Sequence, residues 1–110
     1  MKVAVASSGS NLEAKVEPRF GRCTYFVVVD TDTMLFEALE NPGALAGTGA
    51  GIAAAQIIAD AGAEAVVAGT VGPNALEALK SGGLKLYGAA GGTVAEAAGA
   101  AAAGDLEALI

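Results

Sequence analysis

The stretch Ala65-Val66-Val67-Ala68-Gly69-Thr70-Val71-Gly72-Pro73-Asn74 is the part of the chain that best predicts the fold. Its first four residues are apolar and are followed by turn residues, which is typical of a buried strand. Two glycines then allow a tight turn, and Pro73 suits the first turn of a helix, where a missing N–H costs nothing. The stretch therefore predicts a strand that passes through a glycine turn into a helix.

Strands and helices are predicted on both sides of this unit. The residue patterns predict five strands, at Val3–Ala6, Tyr25–Val29, Met34–Glu40, Ala65–Ala68 and Leu84–Tyr87. They predict three helices, at Ile52–Ala61, at Asn74–Lys80 and from Thr93, where Glu96 completes a capping box. With right-handed crossovers, this order gives an α/β fold with a five-stranded mixed sheet in the order 3-2-1-4-5, in which strand 2 is antiparallel. Residues 11–22 are expected to form a long loop, and residues 104–110 a poorly fixed tail.

The composition limits the kinds of protein this chain can be. Its 110 residues predict a single domain over residues 1–110, too small for a second lobe that closes over a substrate. The net charge of −6 argues against binding to nucleic acid or to anionic membranes. One cysteine and no histidine exclude an intrachain disulfide, a zinc site of Cys and His, and an iron–sulfur cluster caged by this chain.

The apolar runs are all shorter than the ~20 residues needed to span a bilayer. The first residues have the pattern of a strand and not of a signal peptide. We therefore expect a cytoplasmic protein in a reducing compartment.

Glycine-containing turns precede each predicted helix, at 47–51, 69–74 and 88–93. Such turns expose helix-opening N–H groups that suit an anionic ligand. Because the carboxyl ends of parallel strands share one edge of the sheet, we expect the turns to line one crevice. The same turns are also consistent with tight connections that bind nothing. The candidate ligand-binding residues in the first two turns are Thr48, Gly49, Gly51, Gly69, Thr70, Gly72 and Asn74.

The segment Pro18-Arg19-Phe20-Gly21-Arg22 is expected to overhang these turns. Two guanidiniums beside exposed N–H groups would hold a multiply charged anion. Arg19, Phe20, Gly21 and Arg22 are therefore candidate ligand-binding residues. The alternative is that the arginines pair with Glu13 or Glu17 at the surface.

Cys23, Ser7 and Ser8 complete the candidate site. Cys23 has two interpretations: a thiolate favoured by the charge of Arg22, which would contact a metal cluster, or a small core residue, which is the more common role of a lone cysteine at the start of a strand. Ser7 and Ser8 follow the first strand and are interpreted as hydrogen-bonding groups. No residue is assigned a catalytic or metal-ligating role, because the usual general base of hydrolytic triads, histidine, is absent.

Two other classes of α/β protein are disfavoured. The run Gly49-Ala50-Gly51-Ile52-Ala53-Ala54 matches a loose dinucleotide-binding pattern, but no acidic residue ends the next strand to bind a ribose. A metal-dependent nuclease needs carboxylates on the central strands, and Val3–Ser8 and Ala65–Thr70 contain none.

Five motifs in this order resemble the dinitrogenase iron-molybdenum cofactor biosynthesis family. They are Val16-Glu17-Pro18-Arg19-Phe20-Gly21-Arg22, Asn41-Pro42, Gly49-Ala50-Gly51-Ile52 with Ala54-Ala55-Gln56, Gly72-Pro73-Asn74-Ala75, and Gly92-Thr93-Val94. The likeness implies an RNase H-like fold and a non-catalytic role in binding or carrying a preformed metal–sulfur cluster. Some relatives have a histidine before the first helix, and residues 44–51 have none. A noncovalent iron–molybdenum or molybdenum–copper sulfide cluster, held by charge and hydrogen bonds, is therefore expected.

The expected partners are the cluster and a protein that donates or accepts it, with the chain a monomer or weak homodimer. Two alternatives remain. One is a regulatory or scaffolding module that binds another protein and no cluster. The other is an enzyme acting on small phosphorylated metabolites through the same N–H groups.

Overall fold

The computed structural model describes residues 1–41, 50–89 and 91–110. The strands are β1 (Lys2–Ser7), β2 (Tyr25–Asp30), β3 (Phe36–Glu40), β4 (Ala65–Ala68), β5 (Lys85–Gly88) and β6 (Glu107–Ala108). The helices are α1 (Ala50–Asp60), α2 (Pro73–Ser81) and α3 (Val94–Ala103), and Phe20–Arg22 form one turn of 3₁₀ helix. Among the described residues, no helix is long and apolar enough to cross a bilayer.

The strands form one mixed sheet in the order β3-β2-β1-β4-β5-β6. β2 is antiparallel to β1 and to β3, whereas β1, β4 and β5 are parallel to one another. The predicted order of the first five strands and the antiparallel second strand are therefore confirmed. The RNase H-like assignment stays a prediction.

The prediction of five strands and a loose tail is wrong, because the tail forms a sixth strand. Gly88 pairs with Glu107 in the antiparallel β5–β6 ladder, and the Leu109 N–H donates to the Leu86 carbonyl at 2.7 Å. The Leu109 side chain covers Gly88, where an added Cβ would lie 3.4 Å from Leu109 Cδ1. These contacts fix the tail along the edge of β5.

Helices cover both faces of the sheet. On one face, Ala4 and Ala6 of β1 pack with Phe26 and with residues of α1 and α2. On the other face, Val3 and Val5 pack with residues of α3. Because β1 is buried on both sides, its sequence is a continuous apolar run without polar alternation.

The ends of two helices match the sequence prediction. The chain leaves α1 through Gly62, whose φ of +82° is favoured by glycine. At the start of α3, the Thr93 N–H donates to Glu96 Oε1 at 3.0 Å, and the Glu96 N–H donates to Thr93 Oγ1 at 3.2 Å. The predicted capping box is confirmed.

Residues 11–22 are irregular, as predicted, but they are held by backbone hydrogen bonds. The Glu17 N–H donates to the Ala6 carbonyl at 2.8 Å, and the Ser8 N–H donates to the Lys15 carbonyl at 3.0 Å. The Val16 N–H donates to the Gly92 carbonyl at 3.0 Å. The segment therefore lies across the carboxyl end of β1 and beside the start of α3.

Candidate functional site

The arginine segment, residues Pro18–Cys23, lies against the turn that follows β4. The Pro18 carbonyl accepts hydrogen bonds from the N–H groups of both Gly69 and Thr70, each at 2.7 Å. The Phe20 N–H donates to the Thr70 carbonyl at 3.0 Å. The structure thus brings the arginine segment and the second glycine turn together at the carboxyl edge of the sheet.

Gly69 is needed for this contact. An added Cβ at Gly69 would lie 3.1 Å from Pro18 Cβ and 3.2 Å from the carbonyl oxygen of Ala89. Both distances are tighter than an ordinary contact between such atoms. Glycine here allows two backbone segments to approach each other, rather than a ligand to approach the backbone.

Several N–H groups that were expected to face a ligand are already bonded within the protein. Those of Gly69 and Thr70 donate to Pro18. In α3, the Val94 N–H donates to the Ala14 carbonyl and the Ala95 N–H donates to the Leu12 carbonyl, both at 2.9 Å. The expectation of open amides is therefore wrong for Gly69 and Thr70 and for the start of α3, because residues 11–22 supply acceptors for these N–H groups.

The N-terminus of α2 is open. Its N-cap, Gly72, provides no side-chain hydrogen bond, and the first bond of the helix runs from the Leu76 N–H to the Gly72 carbonyl at 2.9 Å. Within the described part of the chain, the N–H groups of Asn74 and Ala75 have no acceptor. Gly72 and Asn74 are exposed, and an added Cβ at Gly72 would touch nothing. This helix end therefore presents the positive pole of the α2 dipole to solvent.

The first turns of α1 and α2 are in direct contact. An added Cβ at Gly51 would lie only 2.6 Å from Ala75 Cβ. Gly51 was interpreted as a ligand-binding position, and the structure gives it a packing role that the glycine pattern did not reveal. Thr48 and Gly49, the other candidates in this turn, lie outside the described residues.

The two arginines have different surroundings. Arg19 is 68% exposed, and its Nε lies 3.0 Å from Glu17 Oε1, so the alternative of a surface ion pair holds for this residue. The hydrogen bond from the Arg19 side chain, reinforced by the bond from its N–H, lowers the pKa of Glu17 below its usual value. Arg22 is exposed, and none of the ion pairs formed by described residues involves it. A partly exposed pair such as Glu17–Arg19 contributes about 0–1 kcal/mol, so the carboxylate is held only weakly by the guanidinium.

Phe20 and Cys23 anchor the arginine segment in the core. The Phe20 side chain is fully buried, and its ring centroid lies 5.1 Å from that of Phe26. Cys23 is 1% exposed, and its thiol donates to the Phe20 carbonyl at 3.3 Å. Burial raises the pKa of Cys23 to about 12, against smaller opposing effects of hydrogen bonds from the Ser7 backbone and the Asn41 side chain.

The interpretation of Cys23 as a favoured thiolate is therefore wrong. Desolvation of the buried sulfur is the largest effect on its pKa, and the effects that oppose it are hydrogen bonds and not the charge of Arg22. The alternative, a small core residue, is what the structure contains. With its side chain in the core, Phe20 likewise contributes to the site by holding the backbone between the two arginines.

Asn41 supports the segment in a way that sequence reasoning missed. Its side chain is buried, and its Nδ2 donates to the Cys23 carbonyl at 2.9 Å and to the Gly21 carbonyl at 3.3 Å. These carbonyls belong to the residues on either side of Arg22. The sequence showed Asn41 only as part of a strand-ending pair with Pro42, and nothing local to it indicates a partner some twenty residues away.

The two serines also differ. Ser7 is fully buried, and its hydroxyl oxygen lies 2.7 Å from the Gly9 carbonyl and 3.1 Å from the Gly9 N–H, so it closes a local turn. Ser8 is exposed and donates to the Lys15 carbonyl at 3.2 Å. Of the two serines, only Ser8 is therefore accessible to a ligand.

The site provides donors of hydrogen bonds and positive charge, not metal ligands. Among the described residues, no group of three or more His, Cys, Asp or Glu side chains could hold a metal ion. The open α2 N-terminus and the two guanidiniums suit an anion.

The chain is similar to known proteins over most of its length. The chain is 39% identical to the apo form of the orange protein from Desulfovibrio gigas, whose structure matches with a TM-score of 0.92 over 97% of this chain and 91% of that one. A Thermotoga protein provisionally named as a NifB protein is 41% identical, with a TM-score of 0.84 over 98% and 92% of the two chains. An uncharacterized protein of Methanocaldococcus jannaschii is 30% identical over 90 residues, which span 79% of this chain and 73% of that protein. The family model described as dinitrogenase iron-molybdenum cofactor matches residues 1–104, and the chain belongs to that family.

Proposed function

We propose that this protein binds and carries a preassembled anionic metal–sulfur cluster, of the iron–molybdenum or molybdenum–copper type, without catalysing a reaction. The observation that carries the proposal is the position of the open α2 N-terminus beside the arginine segment. Phe20 and Thr70 are joined by a backbone hydrogen bond, and only Val71 separates Thr70 from the α2 N-cap at Gly72. Positive charge and unbonded N–H groups thus occur within a few residues of each other.

The chemistry of the donors favours a cluster over a bare metal ion. A thiometallate brings its own sulfide ligands and leaves its outer sulfur atoms as hydrogen-bond acceptors with negative charge. Guanidinium and backbone N–H groups complement such atoms without entering the coordination sphere. A bare cation would meet the same groups as repulsive neighbours.

The family supports the same class of cargo. Its name refers to the dinitrogenase iron–molybdenum cofactor, and the orange protein of Desulfovibrio gigas is a relative of nearly equal length. On this proposal the cargo passes between this protein and a donor or acceptor protein. The single, buried cysteine suits the cytoplasm, where thiols stay reduced.

Reconstitution without oxygen tests the proposal. The metal-free protein is mixed with tetrathiomolybdate and copper, or with isolated iron–molybdenum cluster, and passed through a gel-filtration column. We expect a coloured complex that elutes with the protein and contains the metals in a fixed ratio. Elution of both cargoes apart from the wild-type protein would contradict the function.

A matched pair of variants tests the site. Arg19→Ala/Arg22→Ala removes two positive charges at the carboxyl edge, whereas Lys80→Ala/Lys85→Ala removes two at the other end of α2 and β5. We expect the arginine variant to lose the coloured complex and the lysine variant to keep it. Equal binding by both variants would place the cluster elsewhere on the protein.

A further inference from the structure

The outer edge of β3 is the longer free edge of the sheet. β6 covers β5 at the opposite side, whereas among the described residues β3 pairs only with β2. The Asp30 N–H donates to the Leu35 carbonyl at 2.9 Å, and the Asn41 N–H donates to the Thr24 carbonyl at 3.1 Å. Because hydrogen-bonded and non-hydrogen-bonded pairs alternate in an antiparallel ladder, the odd-numbered residues of β3 bond to β2. The N–H and C=O groups of Phe36, Ala38 and Glu40 therefore point away from the sheet.

This edge combines apolar side chains with negative charge. Leu35 is 72% exposed and Phe36 is 44% exposed. Residues 25–40, which form β2, β3 and their turn, contain four carboxylates and no Lys or Arg. The carboxylates nearest the free edge, Glu37 and Glu40, lie three residues apart and so occupy opposite faces of the strand.

We propose that the β3 edge binds an extended segment of a partner protein that has basic residues three apart among apolar ones. Such a segment adds a strand to the sheet through the outward groups of β3. Its basic side chains lie opposite Glu37 and Glu40, and its apolar side chains lie opposite Phe36 and Leu39. Opposite charges facing each other across a strand pair stabilise the pairing, whereas like charges destabilise it.

A second copy of this chain fits the edge less well. Antiparallel pairing of two β3 strands about Ala38 places Glu37 opposite Leu39 and Glu40 opposite Phe36. Neither carboxylate then meets a positive charge, and each chain has a net charge of −6. The charge at the edge therefore favours a basic partner.

The position of the edge suits a partner that exchanges cargo. Asn41, the residue after Glu40, holds the carbonyls on either side of Arg22. A strand paired along β3 would thus end beside the arginine segment. The docking proposal itself does not depend on the nature of the cargo.

Synthetic peptides provide the test. The probe is an eight-residue peptide with blocked ends, in which two arginines stand three apart among valine and threonine. One control peptide has glutamate in place of arginine, and another has the same composition with the arginines two apart. Binding is followed by changes in the amide NMR signals of ¹⁵N-labelled full-length protein at two salt concentrations.

We expect saturable binding of the first peptide, weakened by salt, with the largest signal changes at Phe36, Ala38 and Glu40. Glu37→Gln/Glu40→Gln should lower its affinity by about 2- to 30-fold. Ala38→Pro should abolish binding, since it removes an outward N–H and leaves the bonds to β2 in place. The matched variant Glu107→Gln on β6 should bind as the wild type does.

Three results would overturn the proposal. The first is equal binding of the arginine and glutamate peptides. The second is unchanged binding of the arginine peptide by Glu37→Gln/Glu40→Gln, which serves if Ala38→Pro fails to fold. The third is self-association of the unliganded protein through β3, which would show that a second copy occupies the edge.

Discussion

The contact between Gly51 of α1 and Ala75 of α2 leads to a quantitative prediction about stability. In Gly51→Ala, the new methyl group would lie 2.6 Å from Ala75 Cβ, whereas carbon atoms in contact normally stay about 3.5–4.0 Å apart. The helices must separate by about 1 Å, and such overpacking costs about 1–3 kcal/mol. Replacing a helical glycine by alanine stabilises the folded state by about 0.5–1 kcal/mol, which offsets part of this cost. From the middle of both ranges, we expect a net loss of about 1 kcal/mol in the free energy of unfolding, or about 4–8 °C in Tm.

Two further variants separate the steric effect from helix propensity. Gly99 lies within α3, and an added Cβ there meets nothing within 4 Å, so Gly99→Ala should stabilise the protein by about 0.5–1 kcal/mol. In Gly51→Ala/Ala75→Gly, the methyl group moves from α2 to α1, and its nearest remaining neighbour is Ala75 Cα at 3.4 Å. The double variant should therefore regain most of the stability lost in Gly51→Ala.

Urea unfolding at 25 °C, followed by circular dichroism, measures all four proteins. A Gly51→Ala protein as stable as the wild type, or a double variant with no recovery of stability, would show that the contact between Gly51 and Ala75 is not tight. A large change in the slope of the unfolding free energy with urea concentration would indicate that the substitution also alters the denatured state.

Three other predictions concern the residues around the arginine segment. Because burial raises the pKa of Cys23 to about 12 from its ordinary value of 9.0, the folded protein should react slowly with iodoacetamide at pH 9 and quickly once unfolded in urea. As the pH rises, the thiol ionises in the unfolded protein before it ionises in the folded one, so the free energy of unfolding should decrease from pH 9 towards 12. In Cys23→Ala this decrease should be smaller, because the thiol is absent. Arg19 lowers the pKa of Glu17, so the ionised carboxylate stabilises the folded protein above pH 4.5, and this stabilisation is lost as the pH falls below that value. Glu17→Gln should therefore reduce the acid-side loss of stability, measured by urea unfolding, by less than about 1 kcal/mol. Asn41→Ala leaves buried carbonyls without their donor and should cost about 1–3 kcal/mol, with faster hydrogen exchange at Gly21–Cys23; unchanged exchange there would contradict its role in holding the segment.

The order of the sheet could be predicted because its strands carry strong local signals. β1, β2 and β4 are apolar runs buried on both faces, and turn residues separate them. The handedness of crossovers then fixes the positions of β4 and β5. β6 has no such signal. Its two residues, Glu107 and Ala108, are exposed, and they form a strand only because the edge of β5 is available to pair with them.

The candidate site was predictable in its location and less so in its details. Topology placed residues 18–23 near the turn after β4, and backbone hydrogen bonds join them there. The sequence does not show which N–H groups the protein itself uses, because the acceptors are carbonyls of distant residues such as Pro18. For the same reason, the glycines at 51 and 69 resembled ligand-binding positions, although each makes room for a neighbouring segment.

The way in which the arginine segment is held has a consequence for selectivity. Its main chain is fixed by Thr70, by the buried Phe20 ring and by Asn41, while the guanidinium of Arg19 is mostly exposed at the end of a long side chain. The anchored backbone limits the positions that the guanidinium groups can reach, and their flexible methylene chains allow them to contact anions of different diameter. Under the proposed function, a site built in this way would accept clusters of different size, and the choice between similar clusters would then fall to the protein that donates them.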